Sequence, residues 1–209
     1  MSRFLKISAA LVGSFIVSTT AFAQSTIEEV IVTAQRTEQS LQSVPIAVSA
    51  FTAEALEERQ IEVSSDLQLQ VPGITFSAST FSGGGGFSIR GITNFATAAS
   101  ADAGVEIHMN GLPLGTTSAN EVGFLDMARI EVLRGPQGTL FGRNSTGGVI
   151  NLITARPDLD AFSGTTKLQY ASDGEKLLNV MLNVPISDSL GARFAFRNFE
   201  KDGITKNLY

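Results

Sequence analysis

The residue types that most often carry out chemistry are scarce in this chain. It contains one histidine, His108, and no cysteine. A single imidazole without a thiol does not supply a nucleophile and base pair, and without a nearby carboxylate cluster it is a poor basis for a metal site. The composition therefore predicts no enzyme, no metal site and no bound cofactor.

A second stretch that could do chemistry is glycine-rich. The sequence RIEVLRGPQGTLFGRNSTGGVINLITARP occupies residues 129–157. A phosphate-binding loop requires a lysine and a hydroxyl residue directly after its last glycine, whereas Gly142 is followed by Arg143 and Asn144. The stretch does not predict nucleotide binding. Its glycines are Gly135, Gly138, Gly142, Gly147 and Gly148.

The first residues predict export from the cytoplasm. Arg3 and Lys6 precede an apolar run, residues 7–17, and the small residues Ala21 and Ala23 end the segment. This order is typical of a signal peptide, here residues 1–23. The run is too short for a membrane-spanning helix, which needs about 20 apolar residues.

The charge balance excludes one class of partner. Of the 15 Lys and Arg in the chain, Arg3 and Lys6 belong to the predicted signal peptide, so 13 remain against 20 Asp and Glu. A domain that binds nucleic acid usually carries an excess of positive charge. We therefore predict no nucleic-acid partner.

The elements that position these residues alternate between short strands and short helices up to Pro157. Thr52 is expected to cap a helix from Ala53 to about Gln60, and Ser64 or Ser65 a shorter helix that ends at Val71-Pro72-Gly73. The pair Asn110-Gly111 predicts a hairpin turn. The pattern indicates an α+β fold. Strands are expected at Ile27–Gln35, Val44–Phe51, Ile74–Phe76, Phe87–Arg90, Val105–Met109, Ile130–Leu133 and Val149–Ile153.

After Pro157 the pattern changes to strict alternation. Apolar residues occupy every second position from Leu178 to Ile186, and Phe194 and Phe196 alternate with Arg193 and Arg197. This alternation fits either a meander on a soluble core or an outer-membrane barrel, whose outside is apolar and whose lumen is polar. Together with the signal peptide, the arginines opposite a phenylalanine-rich side favour the barrel. The 52 residues after Pro157 make about three strands, too few to close one.

Several landmarks now follow one another in order. They are IEEVIVTAQR, SVPIAVSAFTAEAL, LQLQVPGITF, FSIRGI, NGLPL and the glycine-rich stretch of residues 129–157. With the signal peptide and the final strands, the chain resembles the N-terminal part of a TonB-dependent outer-membrane receptor. The resemblance covers essentially the whole chain, and VEIHMNG departs from the usual aromatic-rich strand that ends in Asp-Gly.

The resemblance implies a domain order and a fold. Residues 1–23 would be the signal peptide, 24–43 the TonB box and a linker, 44–157 the plug domain, and 158–209 the start of the barrel. The fold would be α+β: a plug with a small mixed β-sheet and short helices, followed by the first antiparallel strands of an incomplete transmembrane β-barrel.

The resemblance also implies a function. The chain would belong to a transporter in the outer membrane of a Gram-negative bacterium, energised by TonB of the inner-membrane complex. Its cargo would be a large nutrient, with a ferric siderophore favoured and cobalamin or a carbohydrate as alternatives. A different possibility is a free-standing periplasmic plug module that binds TonB or ligand without transport.

One implied binding site is the TonB box. An exposed extended segment can add as a strand to the edge of a partner's sheet. The segment would be Ile27, Glu28, Glu29, Val30, Ile31, Val32 and Thr33, with residues 36–43 as a polar linker. The alternative is that the segment is simply the first strand of the plug.

The resemblance implies three further sets of residues. Arg90 and Arg134 would pair with carboxylates on the barrel wall and hold the plug in place, because a guanidinium suits bidentate pairing in a partly desolvated lumen. The five glycines of the signature would permit tight turns and close approach of the backbone. Loops containing Ser82, Gly84, Phe87, Thr116, Thr117 and Ser118 would contact the ligand.

Overall fold

The computed structural model describes residues 30–34, 36–37, 39–79, 84–93, 103–115 and 123–203. The predicted signal peptide lies outside these residues. Within them, the strands are β1 (Ile31–Val32), β2 (Gln39–Ser40), β3 (Ala47–Thr52), β4 (Ile74–Ser79), β5 (Gly84–Ile89), β6 (Ile92–Thr93), β7 (Val105–Met109), β8 (Leu112–Pro113), β9 (Met127–Arg134), β10 (Gly148–Thr154), β11 (Ser163–Tyr170), β12 (Lys176–Ser187) and β13 (Leu190–Glu200). The α-helices are α1 (Ala53–Glu58), α2 (Leu67–Gln70) and α3 (Gly138–Phe141), and short 3₁₀ helices occupy Leu41–Ser43 and Ser64–Asp66.

A mixed five-stranded sheet lies at the centre of the part of the chain before Pro157. Its strand order is β3-β9-β10-β7-β8. Strand β10 runs parallel to β7 and antiparallel to β9, and β3 runs antiparallel to β9. The predicted α+β class, with a small mixed sheet and short helices, is therefore confirmed.

The two faces of this sheet are covered differently. On the first face, Phe51, Ile130, Val132 and Ile150 join a large hydrophobic core with residues of α1, α2 and β5. On the second face, Leu133 and Val149 join a smaller cluster that includes residues of the N-terminal strand β1. Because side chains alternate along a strand, each central strand contributes to both clusters.

The helix boundaries agree with the sequence patterns, with one exception. Thr52 caps α1 by accepting a hydrogen bond from the backbone N–H of Ala55 at 3.3 Å. The prediction that Ser64 or Ser65 caps the second helix is wrong. The carboxylate of Asp66 instead accepts hydrogen bonds from the backbone N–H groups of Glu62 and Val63, each at 2.9 Å, because a carboxylate is a stronger acceptor than a hydroxyl.

Two hairpins use left-handed turn residues. Asn110 and Gly111 have φ of 52° and 82° and join β7 to β8, which confirms the predicted turn. Arg90 and Gly91 have φ of 52° and 83° and join β5 to β6. Positive φ at both central residues is the backbone conformation of the tight turn that suits a two-residue hairpin.

The last three strands form an antiparallel sheet of their own, in the order β11-β12-β13. Phe194 and Phe196 of β13 are 63% and 57% exposed, and Ile186 of β12 is 60% exposed. A meander on a soluble core would bury this apolar face, so that alternative is wrong. Arg193 and Arg197, on the opposite face of β13, form ion pairs with Asp126 and Glu62. No barrel closes within the described residues.

Candidate functional site: the N-terminal segment and the sheet face that holds it

A row of polar side chains crosses the second face of the five-stranded sheet. Asn151 of β10 lies between His108 of β7 and Glu131 of β9 in the strand register. All three side chains are buried, and Glu131 is 0% exposed. Because a buried carboxylate is unstable unless it is paired and hydrogen-bonded, the partners of Glu131 decide what this row can do.

Glu131 has partners within the sheet and outside it. Arg129 donates from Nε to the Glu131 carboxylate at 2.8 Å, and Asn151 donates from Nδ2 at 3.3 Å. The remaining partner is Thr33, whose backbone N–H donates at 2.7 Å and whose hydroxyl lies 3.1 and 3.2 Å from the two carboxylate oxygens. Arg129 Nη2 also donates to the Thr33 hydroxyl at 3.3 Å. A charged acceptor thus ties the backbone near the N-terminus to the central sheet.

Residues 30–34, which we call the N-terminal segment, lie across this face. Val32 and Ala34 are both 0% exposed, and they pack in one cluster with Leu133, Phe141 and Val149. Ile31 points outward and is 42% exposed. The segment pairs with β2 through Ile31↔Ser40 and Val32↔Gln39. It is therefore docked on the sheet by Val32 and Ala34, with the partly buried Val30, and by Thr33.

The glycine-rich stretch shapes one wall of this site. It places α3 so that Phe141 packs into the cluster around Val32. The Phe141 ring meets His108 edge to face at 5.2 Å between centroids, and the guanidinium of Arg36 lies 5.4 Å from the ring centroid. His108 Nδ1 is 3.3 Å from the carbonyl oxygen of Gly111. The histidine thus contributes to packing on the second face.

Comparison with known proteins now decides the family. Residues 40–149 match the family model described as TonB-dependent Receptor Plug Domain. The chain belongs to this family. The N-terminal segment, residues 30–34, lies just before the matched range.

Two named relatives are an outer-membrane protein and a transporter. The Iron-regulated outer membrane virulence protein of Vibrio cholerae is 33% identical over 220 residues, which cover 97% of this chain and 33% of the relative. The vitamin B12 transporter BtuB of Vibrio vulnificus is 29% identical over 184 residues, 86% of this chain and 29% of the relative. The chain thus spans about a third of the length of these curated relatives.

Solved structures agree on the fold. The ferric yersiniabactin uptake receptor FyuA from Yersinia pestis matches with a TM-score of 0.62 and 27% identity, over 69% of this chain and 22% of that one. The alcaligin outer-membrane receptor FauA from Bordetella pertussis matches with a TM-score of 0.67 at 20% identity, over 82% of this chain and 29% of that one. The second match supports the fold alone.

The structure changes the picture of the predicted TonB box. Ile27, Glu28 and Glu29 lie outside the described residues. The segment was predicted to be exposed. Ile31 is exposed, but the expectation is wrong for Val32, which is buried, and Thr33 is hydrogen-bonded to Glu131. In the structure, Ile31–Val32 forms the first strand, as the alternative interpretation of this segment predicted. Part of the predicted polar linker has regular structure, since Gln39–Ser40 pairs with β1 and Leu41–Ser43 forms a 3₁₀ turn.

The plug places Arg90 and Arg134 against the same turn. Arg134 Nη1 lies 3.4 Å from the carbonyl oxygen of Pro72, and the backbone N–H of Arg90 donates to the carbonyl of Gly73 at 2.9 Å. Arg134 Nε is buried and has no hydrogen-bond partner among the described residues. Neither arginine forms a salt bridge within the described part of the chain. Pairing with barrel carboxylates stays a prediction.

The signature glycines have different reasons to be glycine. At Gly148 a Cβ would collide with the carbonyl oxygen of Leu133, and φ is 151°. At Gly147 a Cβ would lie 2.8 Å from Cβ of Ile92. Gly135 and Gly142 have positive φ of 110° and 88°. Gly138 shows neither crowding nor positive φ, so the expected reason for glycine is wrong there.

The structure describes two of the six predicted ligand residues, Gly84 and Phe87. Ser82, Thr116, Thr117 and Ser118 lie outside the described residues. Gly84 begins strand β5. The prediction for Phe87 is wrong: its side chain is 0% exposed and packs edge to face on Phe76 with ring centroids 5.0 Å apart. The loop that precedes it is shorter than expected because β5 begins at Gly84.

Sequence reasoning missed the ion pairs that join the last sheet to the plug. Arg193 of β13 forms two hydrogen bonds of 2.6 Å with the carboxylate of Asp126. Lys167 of β11 and Arg197 of β13 both approach Glu62, at 2.8 and 3.6 Å. The alternation of arginine and phenylalanine in β13 was visible in the sequence. The acidic partners were not, because 67 residues separate Arg193 from Asp126.

Two features are absent from the described residues. Among them, no group of three or more histidine, aspartate or glutamate side chains is placed to hold a metal ion. No helix in the described part of the chain has both the length and the apolar character needed to cross a membrane.

Proposed function

We propose that this chain supplies the plug and the first barrel strands of an outer-membrane receptor that imports a large nutrient with energy from TonB. The observation that carries the proposal is the orientation of the sheet β11-β12-β13. Its apolar face, with Phe194 and Phe196, is exposed, and its polar face is ion-paired to a plug domain of the TonB-dependent receptor family. This is the distribution required of a barrel wall with lipid outside and a plug inside.

The N-terminal segment and the residues before it are the proposed TonB-binding site. The segment is extended, and β-augmentation needs an extended strand with free backbone groups. The segment must therefore leave the second face of the sheet before it can pair with TonB. Arg90 and Arg134 are proposed to face carboxylates of the barrel wall, since neither has a carboxylate partner among the described residues.

A ferric siderophore is the favoured cargo. The relative in Vibrio cholerae is named as iron-regulated, and the structure from Yersinia pestis is a ferric yersiniabactin receptor. The relative in Vibrio vulnificus is named as a vitamin B12 transporter, so cobalamin is the alternative. Uptake of ⁵⁵Fe-labelled siderophores and of ⁵⁷Co-cobalamin by cells that express the receptor would separate the two. Iron uptake with no cobalt uptake is expected, and the reverse would contradict the favoured cargo.

The Ile31→Pro variant tests energy coupling. Proline removes a backbone donor, so the segment can no longer pair fully as a strand with TonB. We expect energised uptake to be lost and ligand binding at the cell surface to persist. Ile31→Val is the matched control, since it keeps the donor and the strand preference. Uptake by the proline variant at the control rate would contradict a role for this segment in TonB binding.

Cell fractionation tests the rival function, a free-standing periplasmic module. Three strands are too few to close a barrel, so membrane insertion requires the remaining barrel strands. With them present, the exposed apolar face of β12 and β13 leads us to expect the protein in the membrane fraction. Recovery of the chain as a soluble periplasmic protein would favour the module instead.

A further inference from the structure

The N-terminal segment is joined to the central sheet through one residue. Among the described residues, every hydrogen bond between residues 30–34 and the five-stranded sheet involves Thr33, with Glu131 or Arg129 as its partner. The other backbone hydrogen bonds of the segment stay within the N-terminal region, for example from Leu41 N–H to the carbonyl of Val30 at 2.9 Å. Docking therefore has a single polar anchor on the sheet.

This anchor fixes the register of the segment. Thr33 presents its N–H and its hydroxyl to the Glu131 carboxylate, and the neighbours Val32 and Ala34 fill the apolar cluster. A shift of one residue would place a valine or an alanine against the carboxylate and the threonine in the apolar cluster. Leaving a buried carboxylate without one of its donors is unfavourable, so the shifted registers are disfavoured.

The anchor also permits release. When the segment leaves, Glu131 retains Arg129 and Asn151 as partners, and its freed oxygen lone pairs can be hydrated. The uncovered face therefore does not contain an unpaired charge. If the contact were purely apolar, release of the segment would expose only hydrophobic surface to water, which is unfavourable. A paired carboxylate thus suits both the docked and the released state.

We propose that Glu131 is a positioning residue that holds the N-terminal segment in its docked register and so sets how often that segment is available to a partner strand. The proposal deepens the proposed function and rests on it, because the partner is TonB only if the segment binds TonB. Availability itself can be measured without TonB and without cargo. An experiment can therefore show that Glu131 does not position the segment without bearing on TonB binding, and the reverse.

The absence of cysteine from the chain makes the test direct. A single reporter, Val32→Cys, places a thiol at a fully buried position of the segment. A second reporter, Val132→Cys, places one next to Glu131 on the same strand but in the core of the first face. The rate at which iodoacetamide modifies each thiol in the detergent-solubilised chain reports local opening at that position.

With Glu131→Gln, we expect the thiol at position 32 to react at least about tenfold faster, because charged hydrogen bonds contribute more than neutral ones. The thiol at position 132 should remain as protected as in the parent chain. Thr33→Val should give a smaller increase at position 32, since it removes the hydroxyl and keeps the N–H donor. Thr33→Ser retains both donors and should restore slow modification.

Glu62→Gln is the matched control. It also removes a carboxylate from ion pairs, with Lys167 and Arg197, but Glu62 does not contact the N-terminal segment. In this variant, iodoacetamide should modify the thiol at position 32 at the same rate as in the parent chain. Two outcomes would overturn the proposal: an unchanged rate at position 32 in Glu131→Gln, or an equal increase at positions 32 and 132, which would make Glu131 a general stabiliser of the fold.

Discussion

The two faces of the five-stranded sheet are closed in different ways. The first face is covered by α1, α2 and β5, whose side chains form one extended hydrophobic core. The second face carries Glu131, Asn151 and His108, and its cover includes the N-terminal segment, which contributes Val32 and Ala34. A face closed by large side chains from several elements opens only when the domain unfolds, whereas the part of the second face that residues 30–34 cover can open locally.

The difference shows how one small domain can be stable and still release a strand. The apolar area that stabilises the plug is concentrated on the first face, where loss of the N-terminal segment does not expose it. The polar row on the second face remains partnered within the sheet. Strands β9 and β10 therefore contribute one face to the stabilising core and the opposite face to the site from which the N-terminal segment can be released.

The largest expected effect comes from the first face. Phe87→Ala removes a fully buried ring that packs against Phe76. We expect the free energy of unfolding to fall by about 3–5 kcal/mol, as is typical for a buried phenylalanine. Urea unfolding of the detergent-solubilised chain, followed by circular dichroism, measures the change. A loss below about 1 kcal/mol would contradict the assignment of Phe87 to the core rather than to a ligand loop.

A smaller effect is expected where the glycine-rich stretch enters β10. Gly148→Ala places a Cβ against the carbonyl of Leu133 at a positive φ. We expect a loss of more than about 1 kcal/mol in the free energy of unfolding. Gly138→Ala is the matched control, because its Cβ would meet no atom within 4 Å. The control should be neutral or stabilising by up to about 1 kcal/mol, and equal losses in both variants would refute the distinction.

Local patterns predicted much of the fold. Thr52 before α1, Asn110-Gly111 between β7 and β8, and the alternation in β12 and β13 each depend on neighbouring residues, so they were readable in sequence. The outward apolar face of the last sheet followed from the same alternation. These features are local consequences of backbone geometry and side-chain periodicity.

The site was less predictable because its contacts are distant in sequence. Thr33 and Glu131 are 98 positions apart, and Glu131 read as one polar residue in an alternating strand. The pattern in Ile27–Thr33 correctly favoured an extended backbone at Ile31–Val32, but it gave no sign that Val32 would be covered. The burial of Phe87 was missed for a similar reason, since the start of β5 depends on its pairing with β4.

The smallest effect on overall stability is expected at the N-terminal segment. Val32→Ala removes two buried methyl groups from the cover of the second face. If the segment opens independently, the variant weakens docking by about 1 kcal/mol and leaves the rest of the plug intact. Hydrogen exchange of residues 30–34 should then be about fivefold faster, and that of β9 and β10 should be unchanged, because exchange from a locally opened state follows the opening free energy. Faster exchange in β9 and β10 as well would show that the second face opens only with the first, and the contrast between the two faces would fail.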